Sequence, residues 1–152
     1  MRAVVSTLAL CVIVAGCGGS PTQPSLPFRQ LKAQGLLAHP FACTAGTRVF
    51  RDADEWNAFA SGILFAEPPF VDFRTEMVVL VALGTRGSSG YTVDIQDVRR
   101  SGEQLSIQAI ETTPGKCAAL TVITCPWAAV VVPRSDATVA VKYESARTAP
   151  GC

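Results

Sequence analysis

Few residues in this sequence have the types and spacing that catalysis requires. The chain has a single histidine, His39, and a nucleophilic triad needs a base beside its nucleophile. Ser88-Ser89-Gly90 lacks the G-x-S-x-G order of a nucleophile elbow and precedes a strand-like segment. Asp52, Asp54 and Glu55 are neighbours at a predicted helix start, where carboxylates complement the helix dipole. We therefore expect a protein with no catalytic activity, no cofactor and no metal.

The cysteines have clearer covalent chemistry. Two of the six lie near the N-terminus, Cys11 in an apolar run and Cys17 after small residues. The disulfide candidates are the remaining ones: Cys43, Cys117, Cys125 and Cys152. In an exported domain an even set of cysteines indicates disulfides. Zinc binding is the less favoured alternative, because the chain has no CxxC pair and only one histidine.

The stretch 118–124 (AALTVIT) bears on how these cysteines pair, because its composition is that of a strand. Extended, it would hold Cys117 and Cys125 about 26 Å apart, whereas a disulfide needs Cα atoms within about 7 Å. The sequence therefore favours long-range pairings that use Cys43 and Cys152, and the connectivity among the candidates stays open.

The N-terminus predicts export. Met1-Arg2 gives a positive start, an apolar run extends from Ala3 to Val14, and Ala15-Gly16 supplies small residues before Cys17. This order is typical of a secretory signal, and the run is shorter than the roughly 20 apolar residues of a spanning helix. The site resembles the lipobox of bacterial lipoproteins, which implies lipidation of Cys17 and anchoring in the bacterial cell envelope. The alternative is an ordinary secretory signal with a chance cysteine.

We predict three parts: a lipoprotein signal peptide over 1–16, a lipid-anchored flexible tether over 17–35, and a single β domain over 36–152. Gly18 is not the aspartate that retains some lipoproteins at the inner membrane, so an outer-membrane location is expected from that resemblance. After cleavage the basic and acidic residues balance at 12 each, because Arg2 is the only charged residue removed. Without a basic stripe or a cationic amphipathic helix, the surface favours neither nucleic acid nor membrane binding, and no small-molecule substrate is evident.

One short helix is predicted after residue 51. Asp52 can cap it, Glu55 completes a capping-box pattern, and Gly62 is a suitable stop. An apolar stripe at helical spacing consists of Trp56, Phe59, Ala60 and Ile63. The helix is therefore expected to lay this face on a sheet.

The rest of the chain is strand-like. The predicted strands are Glu76–Leu83, Tyr91–Gln96, Leu105–Ala109, Trp127–Val132 and Thr138–Tyr143. The first is continuously apolar, as in a central strand covered on both faces, and the next two alternate between apolar and polar residues. This regular spacing indicates a mainly β fold, a small antiparallel β-sandwich or open barrel with one short covering α-helix.

A glycine-rich loop follows the predicted central strand and is the candidate contact with a protein partner. Its glycines permit backbone angles closed to other residues, and its polar side chains are expected to be exposed. The candidate partner-binding residues, with a second loop included, are Gly84, Arg86, Gly87, Ser88, Ser89, Gly90, Tyr91, Pro126 and Trp127. The alternatives are a plain hairpin turn for the first loop and a core anchor for Trp127.

Several short segments keep a characteristic order along the chain. They are Trp56, 71–73 (VDF), 76–79 (EMVV), 84–91, 112–117 (TTPGKC), 126–127 and 131–135 (VVPRS). This order, over about 49–143, resembles PrcB-like proteins, envelope proteins named for a subunit of a bacterial surface protease complex. The resemblance implies a lipoprotein that binds and stabilises a serine protease without catalysis of its own. Two departures from the family pattern are present. Before Tyr91 the family tends to have Thr and Gly, where this chain has Ser88-Ser89-Gly90, and the family favours a tyrosine or another residue at the position of Trp127, which lies beside an unusual Cys125.

The same loops also resemble those of chagasin-type cysteine-protease inhibitors. In that interpretation Ser89-Gly90-Tyr91 and Pro126-Trp127 form a wedge for an active-site cleft, although the third, Gly-rich loop is not evident near Thr113–Lys116. The alternatives to a protease-complex subunit are therefore a periplasmic protease inhibitor and a structural envelope domain with no protease partner.

Overall fold

The computed structural model describes residues 23–31, 43–61 and 69–148. The elements are β1 (Arg29–Leu31), β2 (Gly46–Phe50), α1 (Ala53–Ser61), β3 (Glu76–Ala82), β4 (Thr92–Ser101), β5 (Gln104–Thr113), β6 (Trp127–Pro133) and β7 (Thr138–Thr148). Gly62, Ile63, His39 and Cys152 lie outside the described residues.

Two sheets form an open sandwich, so the predicted mainly β fold with one short helix is confirmed. The first sheet has the order β1-β6-β3-β2 and the second the order β4-β5-β7. One pair departs from the antiparallel expectation, because β5 and β7 are parallel. The reason is that β6, which lies between them in sequence, belongs to the other sheet and returns the chain to the end where β5 began.

Strand β3 is the centre of the fold. Its apolar residues are fully buried, because one face packs on the second sheet and the other packs under the helix. Met77, Val79 and Val81 belong to the core between the sheets, whereas Val78 and Leu80 belong to the core beneath α1. The prediction of a central strand covered on both faces is therefore confirmed.

Helix α1 covers the first sheet as its stripe predicts. Asp52 Oδ1 accepts hydrogen bonds from the backbone N–H groups of Asp54 and Glu55, which confirms the N-cap. The Glu55 carboxylate pairs with Arg48 of β2 at 2.8 Å. Trp56, Phe59 and Ala60 are buried against Phe50 of β2. In the described residues, no helix is both long and apolar enough to cross a membrane.

The second sheet follows the predicted alternation with one interruption. Leu105, Ile107 and Ala109 of β5 are buried, as expected. In β4 a β-bulge shifts the register between Ile95 and Asp97, so the buried positions continue at Val98 instead of Asp97. The strand therefore runs to Ser101, beyond the predicted end at Gln96, and the turn lies at 102–103.

The N-terminal segment corrects the predicted tether of 17–35. Residues 29–31 form β1 and pair with β6, while Leu26 N–H donates to the Val98 carbonyl and Ser25 forms a bridge with Arg99. The prolines and serines of this segment are compatible with strand pairing, because a segment at the edge of a sheet pairs only part of its backbone groups. The segment therefore belongs to the fold and joins the edges of the two sheets.

We call the end of the sandwich where this segment joins it the entry pole. It is defined by Ser25, the turn at 102–103 and residues 133–138. Asp97 secures it, since its carboxylate accepts hydrogen bonds from the Ser25 hydroxyl and from Arg99. These bonds hold the pKa of Asp97 below its usual value, the Ser25 bond contributing most.

Candidate functional site

The two loops predicted to contact a partner meet at the end of the sandwich opposite the entry pole. Ala82, the last residue of β3, pairs with Trp127, the first of β6. Leu83 N–H then donates to the Pro126 carbonyl at 3.0 Å. We call this end the loop pole and define it as residues 43–46, 84–91 and 112–127. It lies about 23 Å from Ser25, because seven residues of β4 separate Arg99 from Thr92.

Arg86 is the main correction to the predicted contact loop. Its side chain turns inward and is about one-quarter exposed, at 26%. The guanidinium donates to Glu111 Oε1 of β5 at 2.9 Å and to the Leu83 carbonyl at 2.9 Å, and it lies over the Tyr91 ring. Hydrogen bonds from a charged guanidinium are stronger than those between neutral groups, so these contacts hold the side chain in place. Arg86 therefore fixes the loop to the second sheet instead of facing a partner.

The two serines of the loop hold a neighbouring segment in place. Ser89 N–H donates to the Leu120 carbonyl, and Leu120 N–H donates back to Ser89 Oγ, each at 2.9 Å. The Ser88 carbonyl accepts a hydrogen bond from the Thr124 hydroxyl at 2.9 Å. Both serines are half-buried, so the expectation that they are free surface side chains is wrong. The loop connects the two sheets and is not a plain hairpin turn.

Two glycines of the loop occupy backbone conformations that other residues rarely adopt. Gly84 and Gly90 have φ values of 78° and 88°, in the region that favours glycine. A Cβ on Gly90 would lie 2.9 Å from the Pro114 side chain, and one on Gly84 would lie 2.9 Å from the Ala45 backbone nitrogen. These glycines therefore let the loop approach its neighbours closely. Gly87 has open space around it.

The segment 118–123 is the part of the loop pole that the sequence did not identify. The predicted strand over 118–124 is wrong: only Thr124 pairs, forming an isolated bridge with Arg86. Leu120 and Ile123 are 73% and 71% exposed, and Val122 is 47% exposed. Val122 N–H donates to the Leu120 carbonyl at 2.9 Å, which closes a tight turn at Thr121. We call 118–123 the apolar tip.

Disulfides bracket the apolar tip. Cys125 is bonded to Cys43 across 82 residues of sequence, with Cα atoms 4.7 Å apart. Cys117 is also disulfide-bonded. The long-range pairing of Cys43 agrees with the sequence interpretation. The sequence could have indicated a loop here, because Cys117 on one side and Cys125 with Pro126 on the other enclose the apolar run.

Trp127 lies at the base of the loop pole. It begins β6, is half-buried, and packs against the core beneath α1. This position agrees with the core-anchor alternative, because a ring packed there secures the start of the strand. Tyr91 is also half-buried, under the guanidinium of Arg86. The two aromatic residues of the candidate site therefore support the loops.

The electrostatics of the loop pole centre on the Arg86–Glu111 pair. Tyr143 of β7 lies close to both groups and is half exposed. Burial raises the pKa of its hydroxyl, the Glu111 carboxylate raises it further, and Arg86 partly offsets both effects. The Arg86–Glu111 pair therefore lies in the support beneath the loops, whereas Lys116 is an exposed charge next to the segment 117–127, which itself carries no charged side chain.

The residues considered for catalysis do not come together. Asp52 caps α1 and Glu55 pairs with Arg48, so this acidic cluster serves the helix. Ser89 Oγ accepts a backbone hydrogen bond. Across 23–31, 43–61 and 69–148, no group of three or more His, Cys, Asp or Glu side chains is arranged to hold a metal ion.

Comparison with known proteins gives one family. The family model described as PrcB C-terminal matches residues 77–133, which run from β3 to the end of β6 and include both predicted contact loops. No curated protein and no solved structure matches the chain. The PrcB C-terminal domain suggests a protease-associated subunit family, which is not itself a catalytic family. The chain is therefore similar to the PrcB C-terminal family over residues 77–133, which make up less than half of its length.

Proposed function

We propose that this chain is a lipid-anchored protein of the bacterial cell envelope that binds and stabilises a secreted or surface protease without catalysing a reaction. The observation that carries the proposal is the family match over 77–133. That segment supplies most of the loop pole, where loops from both sheets are tied together by backbone hydrogen bonds. A set of loops fixed on rigid strands is the usual means by which a β domain presents a binding surface.

The two poles support an anchored binding role. The chain enters the fold at Ser25, eight residues after Cys17, so a lipid on Cys17 would lie at most about 27 Å from the entry pole. The loop pole is at the other end of the sandwich. A domain held by lipid at Cys17 would therefore direct its loops away from the membrane, towards a protease in the surrounding space.

The anchor is tested by mass spectrometry of the mature protein. We expect a diacylated cysteine at position 17 as the new N-terminus, and Cys17→Ser should leave an uncleaved, unacylated precursor. An unmodified Cys17 in the wild-type protein would contradict the anchor and the localisation that depends on it.

The partner is tested by co-purification from detergent-solubilised envelopes with the anchor intact, followed by identification of the bound proteins. We expect a protease in the complex and a shorter lifetime of that protease in cells that lack this chain. Recovery of the chain without a protease, together with an unchanged protease lifetime, would contradict the subunit role and leave a structural envelope domain.

The inhibitor alternative has one observation in its favour. The structure brings Ser89-Gly90-Tyr91 and Pro126-Trp127 to the same pole, as a chagasin-like wedge requires. Trp127 and Tyr91 are half-buried, however, which limits their reach into a cleft. A papain inhibition assay with the soluble domain separates the two functions. We expect no inhibition, and tight inhibition would favour the periplasmic inhibitor.

A further inference from the structure

The apolar tip gathers exposed hydrophobic side chains in a way that the rest of the described surface does not. Among the residues that the structure describes, five large hydrophobic side chains are exposed, and three of them are Leu120, Val122 and Ile123. The other two, Phe70 and Tyr143, stand on separate elements. Single exposed apolar residues need no explanation, but a cluster on a protruding loop is typical of an interaction site.

The apolar tip is also held in a defined shape. On one side Leu120 exchanges hydrogen bonds with Ser89, and on the other Thr124 forms a bridge with Arg86. Disulfides follow at Cys117 and Cys125. A loop fixed in this way loses little conformational entropy on binding, so its exposed side chains can contribute more fully to affinity.

We infer that the apolar tip is the element that binds the protease partner, with Leu120 and Ile123 inserted into an uncharged, apolar pocket on its surface. This inference rests on the proposed function and names the contact that performs it. Arg86, Ser88 and Ser89 are positioning residues, since their bonds fix the shape of the apolar tip. The partner surface is apolar because 117–127 contains no charged residue that could pair with a charged one.

A lipid bilayer is the other surface that could accept such a tip. The geometry favours a protein, because the loop pole lies opposite the pole where the chain enters. In addition, Lys116 is the only lysine or arginine in 112–127, whereas segments that insert into anionic membranes are usually rich in basic residues beside their apolar ones.

Site-specific photo-crosslinking in intact envelopes tests the contact directly. A photoreactive amino acid replaces Ile123 in the full-length protein, and a matched control carries it at Phe70, which is 84% exposed but lies outside the loop pole. We expect irradiation to give an adduct with a protease, identified by mass spectrometry, from position 123 and not from position 70.

Every other result overturns the inference. A phospholipid adduct at 123 would assign the apolar tip to a membrane, and no adduct there would remove it from any interface. If a protease still co-purifies or crosslinks at 70, the proposed function stands and only the contact is wrong. If no protease is found by either method, both fail.

A second measurement uses the paired variants Leu120→Ser/Ile123→Ser and Phe70→Ser. We expect the first to reduce protease binding by about 30-fold or more, as for buried interface anchors, and the second to leave binding unchanged. Both should shift the melting temperature by less than about 4 °C, because the side chains are exposed. Equal binding by both variants would overturn the inference.

Discussion

Two apolar stretches of similar length in this chain differ in burial: one forms a fully buried strand, and the other lies in an exposed loop. Residues 76–82 (EMVVLVA) form β3, whose apolar side chains are all buried. Residues 118–124 (AALTVIT) leave Leu120 and Ile123 mostly exposed and form no strand. The difference lies in their neighbours: β3 has β2 and β6 on its two sides and a layer on each face, whereas 118–124 lies at a pole between two cysteines.

The contrast teaches that apolar composition alone does not place a segment in the core. A strand is buried when hydrogen-bonding partners and packing layers are available on all sides. The apolar tip has the loop 84–91 as its partner on one side, through a few backbone bonds. Its hydrophobic side chains are therefore free for a surface role, and the disulfides replace a sheet as the source of rigidity.

The largest expected effect separates the two stretches by the same substitution in each. Leu80→Ala should lower the free energy of unfolding by about 2–5 kcal/mol, because Leu80 is fully buried and truncation leaves a cavity. Leu120→Ala should change it by no more than about 0.5 kcal/mol. Urea denaturation of both variants measures the difference. Similar losses in the two variants would mean that the apolar tip packs against something, and the contrast would disappear.

The disulfide beside the apolar tip should have the next largest effect. Cys43→Ser/Cys125→Ser opens a cross-link between residues 82 apart in sequence, and we expect a loss of about 2–4 kcal/mol in unfolding free energy. Amide exchange in 118–123 should rise more than exchange in β3. The control is Thr85→Val, which removes the hydroxyl that donates to the Cys43 carbonyl and leaves the covalent bond. Protection of 118–123 unchanged in the double variant would show that the Cys43–Cys125 disulfide does not contribute to fixing the tip.

A smaller loss is expected when the support of the loop pole is removed. Arg86→Met leaves Glu111 of β5 without its partner at a position where both side chains are mostly buried, so unfolding free energy should fall by about 1–3 kcal/mol. Arg74→Met is the control, because Arg74 is 89% exposed in its pair with Asp72, and its melting temperature should stay nearly unchanged. Equal behaviour of the two variants would mean that Arg86 is an ordinary surface residue.

The sequence predicted burial correctly for segments whose apolar residues are periodic or continuous and which pack on an extended sheet or helix surface. The stripe of Trp56 and Phe59 and the apolar run of β3 predicted buried faces, because each packs on an extended surface whose period the side chains must match. Disulfides followed from the number of cysteines, and Cys43 does pair at long range, although the strand over 118–124 from which that pairing was argued does not form. These features depend on local pattern or on composition.

The features that were missed depend on what lies next to a segment in space. The parallel pairing of β5 and β7 follows from β6 crossing to the other sheet, which no local pattern encodes. Arg86 turns inward because Glu111 lies 25 residues away in sequence but within hydrogen-bond distance. The N-terminal segment folds because two sheet edges accept it, despite a composition typical of linkers.

The smallest expected effect compares the two poles in acid, which should weaken the entry pole more than the apolar tip. At the entry pole the Asp97 carboxylate holds Ser25 and Arg99, and its pKa lies below the usual value. A lowered pKa means that the ionised form stabilises the fold. That contribution is therefore fully present above the unfolded value of about 3.9 and is lost as pH falls through the lower value of the folded protein.

Hydrogen exchange at pH 6 and near pH 3, corrected for intrinsic rates, measures this difference between the poles. At the lower pH we expect weaker protection at Leu26, whose N–H donates to β4 beside Asp97. Protection at Leu120 should persist, because its N–H bonds to a neutral serine and disulfides flank the apolar tip, while the Glu111 carboxylate bonds to Arg86 and not to the tip itself. Asp97→Asn should lose the acid response at Leu26, since it has no carboxylate to protonate. Loss of protection at Leu120 before Leu26 would mean that the apolar tip is held less firmly than the N-terminal segment. That outcome would contradict the view that the tip has a fixed shape before it binds a partner.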